Sequence, residues 1–155
     1  MAASYLRRGM NEPAVFELFA RHLPPHRDWL LTAGLGPALS LVEGLRFGDE
    51  ELDYLRTAGF APAFFAYLSS FRFSGDIDAM PEGTVAFAGE PLLRVTGPRI
   101  EAQLLETLLL NQINFQTAIA TKRRASCWLP GPGRPGTAGA SSTSPLAAIT
   151  ASTPR

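Results

Sequence analysis

The stretch FSGDIDAMPEGTVAFAGEPLLRVTGP, Phe73 to Pro98, decides the fold class, because its punctuation is dense and its apolar residues recur with period two. From Phe71 to Ala79 (FRFSGDIDA), Phe73, Gly75, Ile77 and Ala79 point one way and Ser74, Asp76 and Asp78 the other, the pattern of a half-buried strand. Met80-Pro81-Glu82-Gly83 reads as a turn, Thr84 to Phe87 as a strand, and Gly89-Glu90-Pro91 as a second turn. Leu92 to Val95 then closes a hairpin-like pair with the preceding strand. Gly97-Pro98 opens the longest helix, Arg99 to about Arg124, with Pro98 suited to a first helical turn. That helix carries Ile100, Leu104, Leu108, Ile113 and Ile119, and its apolar surface is widened by Leu105, Leu109, Leu110 and Phe115. A helix so broadly apolar needs cover on more than one side, from a partner domain or a subunit.

Toward the N-terminus the elements are shorter. Met1 to Gly9 reads as a short helix, and Ala14 to Ala20 (AVFELFA) alternates as a strand that Leu23-Pro24-Pro25 ends. Gly34 to Leu45 reads as a helix with Leu39, Leu41, Val42 and Leu45 on its apolar side. Asp49 is placed at an N-cap, with Leu52 and Leu55 following. Ala61 to Leu68 is a further helix, its Phe64, Phe65 and Tyr67 most simply core. Helices followed by strands and a closing helix give an α+β unit.

Beyond Lys122 the composition changes. Ser126 to Arg155 contains no Asp or Glu and only two arginines, Arg134 and Arg155, among Gly, Pro, Ser, Thr and Ala. Such a segment buries too little apolar surface to offset its chain entropy and is expected to be disordered. The expected division is therefore a domain over 1–122 and a disordered tail over 123–155. With 155 residues there is room for one domain plus that tail. The 14 basic and 14 acidic residues cancel, leaving no clustered positive excess to recruit nucleic acid or an anionic membrane. The single cysteine, Cys127, forms no internal disulfide, and no apolar run approaches the ~20 residues of a membrane span. A cytoplasmic protein is expected.

Four features bear on chemistry. Asp76 and Asp78, with Glu82 nearby, resemble a metal or acid/base cluster, but two carboxylates at i and i+2 of a strand ordinarily make a solvated sheet face. His22 and His26 flank a rigid turn, yet two histidines without a third ligand are weak evidence for zinc. Cys127 has neither a CxxC partner nor a helix-start setting to lower its pKa. Gly131, Gly133, Gly136 and Gly139 lack the spacing, the preceding strand and the following helix of a phosphate loop. No residue is assigned a catalytic or metal-binding role, and the substrate-binding residues stay unassigned.

The run Phe73 to Pro98 closely resembles the nicotinate phosphoribosyltransferase family's strand, PEGT turn and EPLLRV-GP segment. EAQLLETLLLNQINFQTAIATK, Glu101 to Lys122, is similar to that family's long helix leading into a barrel, and GMNEPAVFELFARHLPPHRDWLLTAGL resembles its early strand and loop. The resemblance covers nearly all of Met1 to Lys122. It implies an N-terminal α/β domain followed by a TIM-type barrel that holds the active site. It further implies an NAD-salvage activity joining nicotinate to phosphoribosyl pyrophosphate, with ATP hydrolysis coupled through a phosphorylated histidine. It also implies magnesium at the pyrophosphate and active sites formed across a homodimer. A related quinolinate- or nicotinamide-using enzyme fits PEGT and EPLLRV less well.

Two departures from the family pattern matter. The family's D-x-Y-x-L-T-M motif ends at the position of Met1, so its ring-stacking tyrosine has no counterpart, and Tyr5 is out of register with it. After Lys122 the family's K-A-A-R-V-V-L-A-A-G is replaced by RRASCWLPGPG. A one-base loss after the Lys122 codon accounts for this. In the neighbouring frame, Arg123 to Gly131 can read A-A-R-V-V-L-A-A-G, and Ser141 onward can read V-V-D-F-A-x-R-R-x-H-G-V-D-A-A. Both strings resemble the family's continuation, in order; the competing reading is a native Pro/Gly/Ser-rich linker. A chain without the barrel is expected to be an inactive fragment that needs no cofactor. Its apolar helix face is expected to make it aggregation-prone. The alternative is a non-catalytic dimerisation or interaction module that uses the Arg99–Arg124 helix.

Overall fold

In the computed structural model, residues 1–25, 27–127 and 147–152 are described. The chain runs α1 (Ala2–Arg7), β1 (Pro13–Ala20), β2 (Leu30–Leu31), α2 (Leu35–Gly44), α3 (Asp49–Thr57), α4 (Pro62–Ser69), β3 (Asp76–Ala79), β4 (Val85–Ala86), β5 (Pro91–Pro98), α5 (Arg99–Cys127) and β6 (Ala147–Ser152). One antiparallel sheet has the order β3-β5-β1-β6, and β2 and β4 form a separate two-stranded ladder. The expected α+β class is the observed one, and no closed barrel is present among the described residues.

Alternation along β1 puts Ala14, Phe16, Leu18 and Ala20 on one buried face. Leu93 and Val95 of β5 continue that face, and α5 lies across it with Ala102, Leu105, Leu109 and Ile113. Ala38 and Val42 of α2 close the same core. A second cluster joins α1, α3 and α4 through Ala2, Leu52, Phe64 and Leu68, with Ile100 of α5 at its centre. The long helix therefore serves both cores. Its start is capped by Asn11, whose side-chain oxygen accepts from the Ile100 N–H at 3.3 Å.

Several expectations change. The hairpin between Thr84–Phe87 and Leu92–Val95 does not form, because β5 pairs along its length with β1 and β3 while β4 pairs with β2. Two neighbours that cover β5 on both edges outcompete a local pairing of two residues. The strand expected from Phe71 begins only at Asp76. Gly75 passes so close to β5 that a Cβ there would lie 2.2 Å from the Thr96 carbonyl oxygen. Just before it, Ser74 is tied to Glu101 rather than to a ladder.

Three helices also differ in detail. On α2 the inward residues are Ala38 and Val42, while Leu39 and Leu41 are exposed. On α5 the buried line runs through Ala102, Leu105, Leu109 and Ile113, and Phe115 is 64% exposed. Pro98 ends β5 instead of opening α5, and Gly48 rather than Asp49 is the N-cap of α3. Helix α5 runs through Cys127, and Ala147–Ser152 pairs with β1.

Candidate functional site

The densest polar arrangement among the described residues surrounds the turn Pro81-Glu82-Gly83-Thr84, and it is a lock. Thr32, just after β2, is 5% exposed. Its hydroxyl donates to the Pro81 carbonyl at 2.7 Å and accepts from the Thr84 N–H at 3.0 Å. Main-chain bonds run alongside: the Thr32 N–H donates to Thr84 O at 2.9 Å and the Gly83 N–H to Thr32 O at 2.8 Å. The Thr84 hydroxyl also donates to the Pro81 carbonyl, at 2.7 Å. Gly83 takes a φ of 81°, a left-handed conformation that glycine adopts without strain.

Glu82 leaves this turn to reach α2. Its Oε1 accepts from the Gly34 N–H at 2.8 Å and the Gly36 N–H at 3.3 Å. The N-cap of α2 is Gly34, which has no side chain to cap with, so a carboxylate from another element takes that place at the positive end of the helix. Gly34 itself has a φ of 95°, and a Cβ there would lie 2.8 Å from the Gln116 Cβ of α5.

Helix α5 closes the lock from the other side. The Thr121 hydroxyl accepts from the Leu31 N–H at 3.0 Å and donates to Thr117 O at 2.6 Å. The Thr117 hydroxyl accepts from the Ala33 N–H at 3.3 Å. Both threonines are buried. Thus β2, too short to hold itself, is bonded on one side by β4 and on the other by helix hydroxyls. Sequence reading missed this, because a helical Thr gives no signal of what its hydroxyl meets.

The acidic trio does not assemble into a site. Asp76 and Asp78 sit on the outward face of β3, opposite Thr96 and Arg94, and both are exposed. Arg94 in turn bonds Glu17 across β1 and β5 at 2.7 Å, an ordinary solvated cross-strand pair. Glu82 belongs to the α2 cap. No group of three or more His, Cys, Asp or Glu able to hold a metal occurs among the described residues. His26 and Gly131, Gly133, Gly136 and Gly139 lie outside the described residues, as does the Cys127 side chain. Tyr5 packs within the helical cluster, with the Arg99 guanidinium 5.8 Å from its ring centre.

The clefts are shallow and bland. A groove of about 480 Å³ between α3 and α4 is lined by Leu52, Arg56, Pro62, Phe65, Ala66 and Ser69. Another, of about 350 Å³, includes Arg46, Arg72, Glu43 and Asp76, charges that balance. Arg46 and Arg72 donate to the backbone carbonyls of Leu45 and Phe71. Burial raises the Tyr67 phenol above its ordinary value of 10.0, with the Glu101 carboxylate adding to the effect. No helix among the described residues is long and apolar enough to cross a membrane.

The Pro81–Thr84 turn, Thr32 and strands β1, β3 and β5 lie within a known domain. The nicotinate phosphoribosyltransferase N-terminal domain family matches residues 1–114. The chain belongs to that family. It is 46% identical over 123 residues to a nicotinate phosphoribosyltransferase of Mycobacterium tuberculosis, covering 79% of this chain and 27% of that protein. The Bacillus subtilis enzyme is 44% identical over 124 residues, covering 79% and 25%. The mouse enzyme is 38% identical over 137 residues, covering 85% and 26%. The crystal structure of human nicotinic acid phosphoribosyltransferase superposes with a TM-score of 0.77 at 35% identity, over 86% of this chain and 28% of that one. The chain spans about a quarter of the length of these relatives.

Proposed function

We propose that this chain carries the N-terminal domain of an enzyme that joins nicotinate to phosphoribosyl pyrophosphate, with ATP, to give nicotinate mononucleotide for NAD salvage. Such an enzyme would use magnesium for the pyrophosphate, work in the cytoplasm and assemble as a homodimer. The observation that carries this reading is the match of residues 1–114 to the family's N-terminal domain. We infer further that residues 1–155 alone do not catalyse the transfer. Transfer needs groups held in place around the pyrophosphate and the attacking nitrogen. The polar groups of the lock, Thr32, Glu82, Thr84, Thr117 and Thr121, hold the domain's own backbone together. The family match favours this reading over a free-standing interaction module.

The fragment reading also accounts for the change of composition after Lys122, as translation one base out of register. The coding DNA tests it. Restoring one base near codon 122 should open an in-frame continuation beginning A-A-R-V-V-L-A-A-G; a stop codon or unrelated sequence there would refute it.

A further inference from the structure

Strand β1 has two main-chain edges, and their assignment follows from its pairing. Toward β5, Pro13 lies opposite Pro98, where neither residue has an N–H, and the Arg99 N–H donates to Glu12 O at 3.2 Å. Main-chain groups alternate sides along a strand. Ala14, Phe16 and Leu18 therefore bond to β5, and Val15, Glu17 and Phe19 turn their N–H and C=O groups the other way. Left open, that second edge is a row of unpaired donors and acceptors, a template for any extended chain. β1 does little to discourage such pairing. After Pro13 it carries no proline, and the charge of Glu17 is matched by Arg94.

In this chain the edge is filled. Ala147–Ser152 pairs antiparallel, from Val15 opposite Ser152 to Ala20 opposite Ala147. By the same alternation, Ser152, Thr150 and Ala148 are the β6 residues that exchange bonds with β1. This segment lies outside the 1–114 family match. Edge pairing reads main chain rather than side chain, so a segment without any family pattern can satisfy it. AAITAS needs only to be extensible, and it contains two β-branched residues and no proline.

We propose that Ala147–Ser152 is a built-in cover for the β1 edge, which keeps that edge from pairing with β1 of a second copy. Amide hydrogen exchange on the full chain tests this, because the alternation supplies an internal control. In the native sequence, the Val15, Glu17 and Phe19 amides should be protected together with Phe16 and Leu18. Thr150→Pro removes a donor from the middle of β6 and inserts a ring that the ladder excludes. In that variant Val15, Glu17 and Phe19 should exchange about tenfold faster or more, while Phe16 and Leu18 stay as before. Sedimentation at rising concentration should then show self-association, and a dimer in which the odd-numbered amides are protected again supports the proposal equally. Fast exchange of Val15, Glu17 and Phe19 in the native chain, beside protected Phe16 and Leu18, would overturn it. So would a monomeric variant with all five amides unchanged. If the variant loses protection everywhere, the native pattern alone decides.

Discussion

Replacing Thr32 with valine removes one hydroxyl and almost no volume, so it isolates the polar part of the lock between β2 and the Pro81–Thr84 turn. The main-chain bonds between Thr32 and both Gly83 and Thr84 survive the change. The Pro81 carbonyl keeps the Thr84 hydroxyl at 2.7 Å, so it is not orphaned. The Thr84 N–H loses its 3.0 Å acceptor and falls back on Pro81 O at 3.3 Å. One partly buried donor left poorly satisfied costs about 1–2 kcal/mol. For a chain of this size that is a fall of roughly 2–8 °C in Tm. Urea unfolding of Thr32→Val against the native chain and Thr32→Ser gives the free energy directly. The serine variant should recover most of the loss, because it restores the hydroxyl. A valine variant within about 0.3 kcal/mol of native, or a serine variant as weak as valine, would refute the claim that this hydroxyl holds the turn.

Leu105, fully buried between α5 and the sheet, should cost about 2–5 kcal/mol when replaced by alanine, read by the same denaturation. Gly75→Ala should destabilise by about 3 kcal/mol or fail to fold, since its Cβ would meet the backbone of Thr96 and Gly97, which cannot swing aside as a side chain can. Tyr67→Phe should flatten the alkaline limb of stability. The raised phenol pKa means the native state keeps its proton longer than the unfolded chain, so native stability is full below pH 10.0 and falls as pH rises toward the higher native value. Phe115→Ser with Ile119→Ser should leave stability within about 0.5 kcal/mol and raise solubility, because both side chains are exposed on α5. Unfolding and turbidity measurements check the pair.

How much of this could be read beforehand follows from where each signal is stored. Strand β1, helix α4 and the long α5 were legible because their apolar periods are strong and their ends carry Pro or polar caps. The inward face of α2 was not. Its leucines mark an apolar side through Leu39 and Leu41, yet both are exposed, and the small Ala38 is fully buried in the core. The partner of β4 was misread for a different reason. Sequence proximity favours a hairpin, but the bonds that place β4 come from Thr32, more than 50 residues away along the chain. The PEGT turn was visible as a family mark, while its physical role as a cap for α2 depends on Gly34, which the turn meets only in the fold. The acidic pair of β3 was read as a solvated sheet face, and it is one.

The central proposal is that this domain is part of a phosphoribosyl-transferring enzyme and does not carry the transfer chemistry itself. Its most direct test is an assay of the purified 155-residue chain with nicotinate, phosphoribosyl pyrophosphate, ATP and magnesium, following nicotinate mononucleotide against a no-protein control. The account predicts a folded protein and no product above that control. Repeated turnover that scales with the concentration of this chain would contradict it.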